Sequence, residues 1–316
     1  MKILVTGASG YIGSYLVPQL LASGHYVTAF DRGLFGKGHL PGDNGLMKHV
    51  NGDIRSPKAV NEACEGQDVV IHLAAIAAEA MIQRDIPFAE SINVAGSMNV
   101  AAGAKQAGVK RLIYASSVAV YGSTKVPVSE KYAKTPTSMY GQQKKEAEYR
   151  VYQEFPEAVI TRVATVCGYS PNMAFHVTIN RMVNEAIRTG ILTVYGGAQK
   201  RSHISIKDVI KAYEVLLDHP NADGEAFNFV QSNQSIWDTA ELVVRVLGHT
   251  IVIMQAPTTD NRSYTVSGQK ALEILGFTPV NTIEDAIWHM KAVFDSNQWK
   301  DSMDNNVYQR ILDVTE

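Results

Sequence analysis

Tyr140 and Lys144 stand four residues apart in Tyr140-Gly-Gln-Gln-Lys144, just after Thr135-Pro136-Thr137-Ser138, which reads as a turn. On a helix, positions i and i+4 share a face, so this spacing holds a phenol beside an ammonium. A free phenol has a pKa of about 10 and is a poor base near neutrality. A neighbouring positive charge favours the phenolate and lowers that value. The pair could thus take a proton from an alcohol, whereas in isolation the same spacing also occurs on exposed helix faces. Upstream, Tyr114-Ala-Ser116-Ser117 reads as the carboxyl end of a strand, followed by Val120-Tyr121-Gly122. A serine-hydrolase reading lacks a suitably placed His–Asp pair and the strained Gly-x-Ser-x-Gly elbow.

These side chains need a scaffold, and the first residues supply its signature. Lys2 to Thr6 is a short β-branched, apolar run, Gly7, Gly10 and Gly13 follow, and Tyr15 to Leu21 has a helical apolar pattern. Strand, glycine turn and helix in that order form a dinucleotide-binding fingerprint. Gly7 lets the chain turn off the strand tip, Gly10 lets backbone approach a pyrophosphate, and Gly13 lets the helix pack close to the strand. The helix N-terminus offers N–H groups and partial positive charge to phosphates. His25 to Phe30 reads as a second strand ending at Asp31. A carboxylate there bonds ribose hydroxyls and repels a 2′-phosphate, which favours NAD over NADP. Arg32 beside it could instead accommodate that phosphate, and Asp31 could be an ordinary turn residue.

The rest of the first half alternates. Residues 32–46 read as a loop, Met47 to Asn51 as a strand, and Ser56 to Cys64 as a helix with Ser56 as N-cap and Pro57 at its first position. Val69 to Leu73, Arg111 to Ala115 and Ala158 to Ala164 read as strands, and Pro87 to Ala107 and Met139 to Phe155 as helices. Such alternation predicts an α/β fold, a doubly wound Rossmann parallel sheet, over residues 1–165. Residues 166–316 are shorter, mixed segments, expected to form a smaller mixed α/β cap over the carboxyl ends of the sheet, where ligands of open α/β sheets bind. Strands from this half could rejoin the main sheet. The polar last twenty residues, with an isolated Trp299, would either wrap the surface or be partly ordered.

The GxxGxxG spacing, with the serines and Tyr140-x-x-x-Lys144, resembles the extended branch of the short-chain dehydrogenase/reductase superfamily. More narrowly, the chain resembles the NAD-dependent nucleotide-sugar epimerase/dehydratase family, and Ser117-Val-Ala-Val-Tyr-Gly resembles its UDP-galactose 4-epimerase-type pattern. The resemblance runs from residue 1 to about 280. It implies that Ser117 shares the substrate hydroxyl with Tyr140, that Lys144 also bonds the cofactor ribose, and that Ser116 lies nearer the nicotinamide. For NAD it implies a shell of Gly7, Gly10, Tyr11, Ile12 and Gly13 in the turn and Asp31 and Arg32 at the second strand. Asp53 and Ile54 would lie near the adenine, and Leu73, Ala74 and Ala75 against a ribose. Asn93 matches an asparagine that props the central helix, and His72 reads as a satisfied residue ordering its turn.

The same resemblance narrows the chemistry. Family 4,6-dehydratases carry an Asp-Glu pair directly after the active-site hydroxyl residue, and Val118 and Ala119 stand there instead. A cysteine found at Ala119 in some related epimerase/reductases is absent too. In the cap, the stretches around Arg201 and Arg262 resemble those whose arginines grip the substrate diphosphate. Two guanidinium forks suit a pyrophosphate, although either alone reads more readily as a surface salt bridge. Thr165, His176 and Asn180 are weaker substrate candidates where the chain enters the cap. Cys167 is small and apolar enough to be simple core.

Bulk properties are consistent with this. The 316 residues are 46% hydrophobic and 19% charged, with net charge −2 and no basic cluster, so neither nucleic acid nor an anionic membrane surface is expected as a partner. No uncharged apolar run is long enough to span a bilayer. The N-terminus runs straight into a strand the fold needs, which argues against a signal peptide. Two distant cysteines without metal-like spacing point to a reduced, cytoplasmic protein without a metal. A nucleotide-diphosphate sugar is the expected substrate, and a homodimer through the helices containing Asn93 and Tyr140 is the assembly the resemblance implies. The leading expectation is a 4-epimerase. An NAD(P)-dependent 4-ketoreductase, a dehydratase by another route, and a non-catalytic dinucleotide-sensing binder are the alternatives.

Overall fold

The computed structural model describes residues 1–36, 40–43, 45–248, 250–260, 262–296, 299, 303 and 310. In chain order the first half runs β1 (Lys2–Thr6), α1 (Gly13–Ala22), β2 (Tyr26–Asp31), β3 (Met47–Asn51), α2 (Pro57–Cys64) and β4 (Val69–His72). It continues with α3 (Glu79–Arg84), α4 (Ile86–Glu90), a π-helical turn at Ser91–Gly96, α5 (Ser97–Gln106), β5 (Arg111–Ser117), a 3-10 turn at Val118–Tyr121, β6 (Pro127–Val128), α6 (Met139–Glu154) and β7 (Val159–Val163). The second half comprises β8 (Thr165–Cys167), α7 (Thr178–Thr189), β9 (Ile191–Tyr195), β10 (Lys200–Ser205), α8 (Ile206–Leu216), β11 (Ala226–Phe229) and β12 (Ser232–Ser235). It ends with α9 (Ile236–Leu247), β13 (Val252–Ala256), β14 (Thr265–Val266), α10 (Gln269–Leu275) and α11 (Ile283–Asp295).

Seven parallel strands form the central sheet in the order β11-β7-β5-β4-β1-β2-β3. The Rossmann-like α/β architecture expected from the sequence is therefore present. The strands at its centre carry buried apolar runs, Ile3–Val5, Val69–Ile71 and Leu112–Tyr114, because helices cover both faces. Leu16, Val17 and Leu20 of α1 share one core cluster with Val209, Tyr213 and Leu216 of α8. Val60, Val100, Ala104, Ala147 and Val151 of α2, α5 and α6 fill the other face. The direction of sheet growth reverses between β1 and β4, which opens the crevice where such sheets bind ligands. Register brings Thr6, His72 and Tyr114 level across β1, β4 and β5, and Ser117 level with Val163.

β11, from well past residue 165, pairs with β7 and completes the sheet, so the chain leaves for the cap and returns. The cap holds a three-stranded sheet, β12-β10-β8, and a two-stranded one, β13-β9. Its core gathers Phe175, Met182, Val243, Ile287 and Phe294 around α7, α9 and α11. Trp299 stacks edge-on against Phe294 at 4.9 Å and Phe175 at 5.5 Å, so this part of the tail is packed. Most of the other tail residues lie outside the described set.

One expected element differs. The single helix predicted over Pro87 to Ala107 begins at Ile86 and widens into the π turn before continuing as α5. The cause is tertiary. A Cβ on Gly96 would stand 2.6 Å from the Ile54 side chain, so this turn is pressed against the loop after β3. Wide turns of this kind re-aim side chains, and here Asn93 is turned into the protein.

Candidate active site

The carboxyl ends of the sheet and the inner wall of the cap enclose one cavity of about 670 Å³. Of the site residues chosen from sequence, all but Asn93 and Asn180 line it.

The floor at one end is the glycine turn. Gly7 has φ +71°, and a Cβ there would lie 2.6 Å from Ala74 N, so the turn lies directly on the end of β4. A Cβ on Gly13 would be 2.3 Å from Gly7 O, which explains why α1 starts with glycine. Asp31 is fixed by Ser9 N at 2.9 Å and Gly33 N at 2.6 Å. Asp53 accepts from Arg55 Nη2 at 2.7 Å and lies 3.6 Å from Arg32 Nη1. Burial acts to raise the pKa of Asp53, but the Arg55 hydrogen bonds and both guanidinium charges hold it below the ordinary value. Two carboxylates thus border this end, and Arg32 reaches one of them. The surroundings fit a dinucleotide with a free ribose 2′-hydroxyl, as the sequence predicts.

At the centre, α6 begins on a double cap. Ser138 Oγ accepts from Gly141 N at 3.1 Å, and the Glu79 carboxylate accepts from Met139 N at 2.9 Å and Tyr140 N at 3.1 Å. Anions at a helix N-terminus are favoured by its dipole. Gly141 brings the helix close: a Cβ would lie 2.6 Å from Ala119 O. Lys144 is buried, donates to Ala115 O at 2.6 Å, and lies 4.8 Å from the Tyr114 ring and 5.8 Å from the Tyr140 ring. Burial pulls its pKa down to about 7, with Glu148 acting in the opposite sense. The Tyr140 phenol is pushed up by burial, and a hydrogen bond with Ser117 acts against that rise. Ser117 Oγ also accepts from Ala119 N at 3.2 Å. Val118 and Ala119 line the same cavity and bring no acid to it.

Supporting residues are buried behind this centre. Asn93 does not reach the cavity. Its Oδ1 accepts from Ile76 N at 2.8 Å, and its Nδ2 donates to Ile76 O at 2.9 Å and Gln143 Oε1 at 2.8 Å. It therefore braces the β4–α3 loop against α6 rather than touching a ligand. His72 lies between Thr6 Oγ1 at 2.6 Å and Ser97 Oγ at 3.0 Å, and burial pulls its pKa down to about 3. That suits an ordering role. Ser116 borders the cavity, but its hydroxyl donates to Glu148 Oε1 at 2.5 Å.

The cap supplies the other end. Arg201 Nη2 and Arg262 Nη2 both donate to Asp260 Oδ2, at 2.9 and 2.7 Å, and Arg201 Nη1 donates to Arg262 O. Burial raises the pKa of Asp260, yet these two guanidiniums pull it down to about 2. The pair of arginines is thus brought together, with Tyr195, Gln199 and Thr258 lining the wall around them. Thr165 and His176 also line the cavity. Burial and nearby Arg310 depress the His176 pKa to about 3. Asn180 is turned inward: it accepts from Gly168 N at 3.0 Å and donates to Tyr11 Oη at 3.0 Å and Ala174 O at 3.1 Å. It orders Tyr11 and the entrance to the cap.

Sequence reasoning missed Glu79, Asp260, Glu148 and Arg310. Arg310, near the C-terminus, stacks on Phe35 at 4.3 Å, donates to Asn172 Oδ1 at 3.0 Å and lines the same cavity. No local pattern marks it. Glu79 was findable as an acid near a cavity-lining loop, and Asp260 as the carboxylate two residues before Arg262. Among the described residues no His/Cys/Asp/Glu cluster could hold a metal ion, and no helix is long and apolar enough to cross a membrane.

Known proteins resemble most of the chain in sequence and fold. The UDP-glucose 4-epimerase of Mycolicibacterium smegmatis is 29% identical, across 91% of this chain and 96% of its own length. UDP-glucuronic acid decarboxylase 1 of Xenopus tropicalis is 27% identical across 90% of this chain and 70% of its own length. Among solved structures, MoeE5 in complex with UDP-glucuronic acid and NAD superposes with TM-score 0.82, at 27% identity over 94% of this chain and all of that one. A family model described as the NAD dependent epimerase/dehydratase family matches residues 3–229, and this stretch contains the glycine turn, Ser117, Tyr140 and Lys144. The chain belongs to the NAD dependent epimerase/dehydratase family.

Proposed function

We propose that the chain is an NAD-dependent nucleotide-sugar 4-epimerase. The observation that carries this reading is the continuity of one cavity from the glycine turn, past Ser117, Tyr140 and Lys144, to Arg201 and Arg262. A dinucleotide at one end and a diphosphate at the other would leave a sugar ring at Tyr140. The turn backbone and Asp31 would hold NAD. Arg201 and Arg262 would exchange Asp260 for the substrate diphosphate.

Ser117 orients the sugar C4 hydroxyl and Tyr140 takes its proton. Tyr140 acts as the phenolate and becomes the phenol, and the Lys144 ammonium stabilises that phenolate before the transfer, which counters the cost of burying it. NAD held by the turn backbone and Asp31 would supply a reversible acceptor for the C4 hydride. Tyr140 then gives its proton back to the oxygen, and return to the opposite face inverts C4. Val118 and Ala119 provide neither the acid to expel a C6 hydroxyl nor a base for C5, which disfavours elimination.

The two cysteines, Cys64 and Cys167, are free and buried, which accords with a reducing cytoplasm. A homodimer through α6 and the helical segment that contains Asn93 is the assembly proposed with this function.

The test is turnover without added cofactor. Purified protein is incubated with UDP-glucose and, separately, with UDP-glucuronic acid, and the sugars are resolved by chromatography. The C4 epimer of one of them should accumulate to a fixed ratio from either direction. Product formed only in proportion to added NADH or NADPH would identify a ketoreductase instead.

A further inference from the structure

Lys144 has Tyr140 one turn before it on α6 and Glu148 one turn after. Glu148 is fully buried, and a buried carboxylate is costly unless paired and hydrogen-bonded. Its Oε1 accepts from Ser116 Oγ at 2.5 Å and Arg162 Nε at 3.0 Å, and its Oε2 from Arg162 Nη2 at 2.9 Å and Lys134 Nζ at 2.7 Å. Burial acts to raise its pKa, but Arg162 and Lys134 hold it below the ordinary value, so it is an anion.

The Ser116 contact differs in kind from the ion pairs. Ser116 sits between Ala115, whose carbonyl receives Lys144 Nζ, and Ser117. Glu148 therefore grips the three-residue end of β5 on which both the lysine and the substrate-orienting serine depend. It also sets the local charge. The Tyr114 ring from β5 and the Tyr140 ring from its own helix face Lys144, which is also coupled electrostatically to His72 of β4 and to Glu148. Behind Glu148 stand Arg162 of β7 and Lys134 of the loop before α6. His72 is neutral at ordinary pH, so Glu148 is the one anion in this set, against the cations of Arg162 and Lys134.

We propose that Glu148 is a positioning residue for proton transfer: it keeps the Lys144 ammonium charged and, through Ser116, fixes the strand end that carries Ser117. This rests on the reading of Ser117, Tyr140 and Lys144 as the reacting set. A merely structural buried ion pair would cement α6 to β5 and β7 without tuning Lys144.

The sign of a charge change separates the two. Glu148→Gln removes the anion and exposes Lys144 to two uncompensated cations. Lys134→Met removes one cation at a partly exposed position and leaves the anion less neutralised. Lys144 is followed directly by ¹⁵N-lysine NMR of the full-length protein, assigned by comparison with Lys144→Met, alongside the alkaline limb of the kcat–pH profile. Glu148→Gln should lower the Lys144 titration, and the limb with it, by about one pH unit, because loss of an opposite charge disfavours the charged form. Lys134→Met should raise both. Unchanged Lys144 titration in either folded variant, or a shift in the same direction in both, overturns the proposal. If Glu148→Gln does not fold, Lys134→Met alone decides by the same criterion. The NMR titration needs no substrate, so failure of the epimerase reading would appear as absent turnover with the charge coupling intact.

Discussion

Tyr140→Phe is expected to abolish turnover while leaving the fold and the dinucleotide in place. The ring is half-buried at the start of α6, and phenylalanine fills the same volume. The helix start depends on Ser138 and Glu79 bonding backbone N–H groups, not on the phenol. What is lost is the acid–base oxygen, and general acid–base groups contribute roughly 10²–10⁴ in rate. Here the expected loss lies at the upper end, since His72 is committed to Thr6 and Ser97 and Ser117 alone is not a base at neutral pH. Released cofactor, measured by mass spectrometry after denaturation, should match the wild type. A variant with more than a tenth of wild-type kcat would remove Tyr140 from the mechanism.

Gly7→Ala is expected to cost both stability and cofactor. A side chain at φ +71° carries a left-handed backbone penalty of about 1–2 kcal/mol. The new Cβ would also stand 2.6 Å from Ala74 N, 2.8 Å from Ala74 Cα and 2.9 Å from Leu73 C. These are backbone atoms at the end of a central strand and cannot swing aside, so overpacking adds a further ~1–3 kcal/mol. Relief requires the turn to lift off β4, which spoils the surface against which a pyrophosphate would lie. Thermal denaturation should show a clear drop in Tm, and the purified variant should carry little dinucleotide. Gly24→Ala is the control: Gly24 has φ +79° with nothing within 4 Å, so only the backbone penalty applies and cofactor content should be unchanged. Equal cofactor content in the two variants would contradict the role given to the turn.

How much of this was legible in the sequence depends on the range of the interactions involved. The central strands announce themselves through β-branched runs buried on both faces, and α2 through Ser56 and Pro57, whose cap the structure reproduces. Tyr140 and Lys144 are visible because helical spacing is local. The π turn within the predicted Pro87–Ala107 helix is not visible, since Gly96 meets Ile54 and Asn93 binds Ile76 only in the folded chain. Asn180 illustrates the same limit. Its place in the chain suggested a ligand contact, but its side chain is taken up by Gly168, Tyr11 and Ala174. Glu148 continues the Tyr140–Lys144 spacing by one more turn, yet its partners Ser116 and Arg162 come from two other strands. The pairing of Asp260 with Arg262 is local, but its bond to Arg201, 59 residues away, is likewise a product of folding.

The central claim is that hydride leaves the sugar C4 and returns to it inside one retained complex. The most direct test uses a nucleotide-sugar carrying deuterium at C4, converted in ordinary water without added cofactor, with both epimers analysed by mass spectrometry and NMR. The account predicts that deuterium stays at C4 in substrate and product and that none reaches solvent or free dinucleotide. Loss of the label to water, or its recovery on released NADH or NADPH, would contradict it.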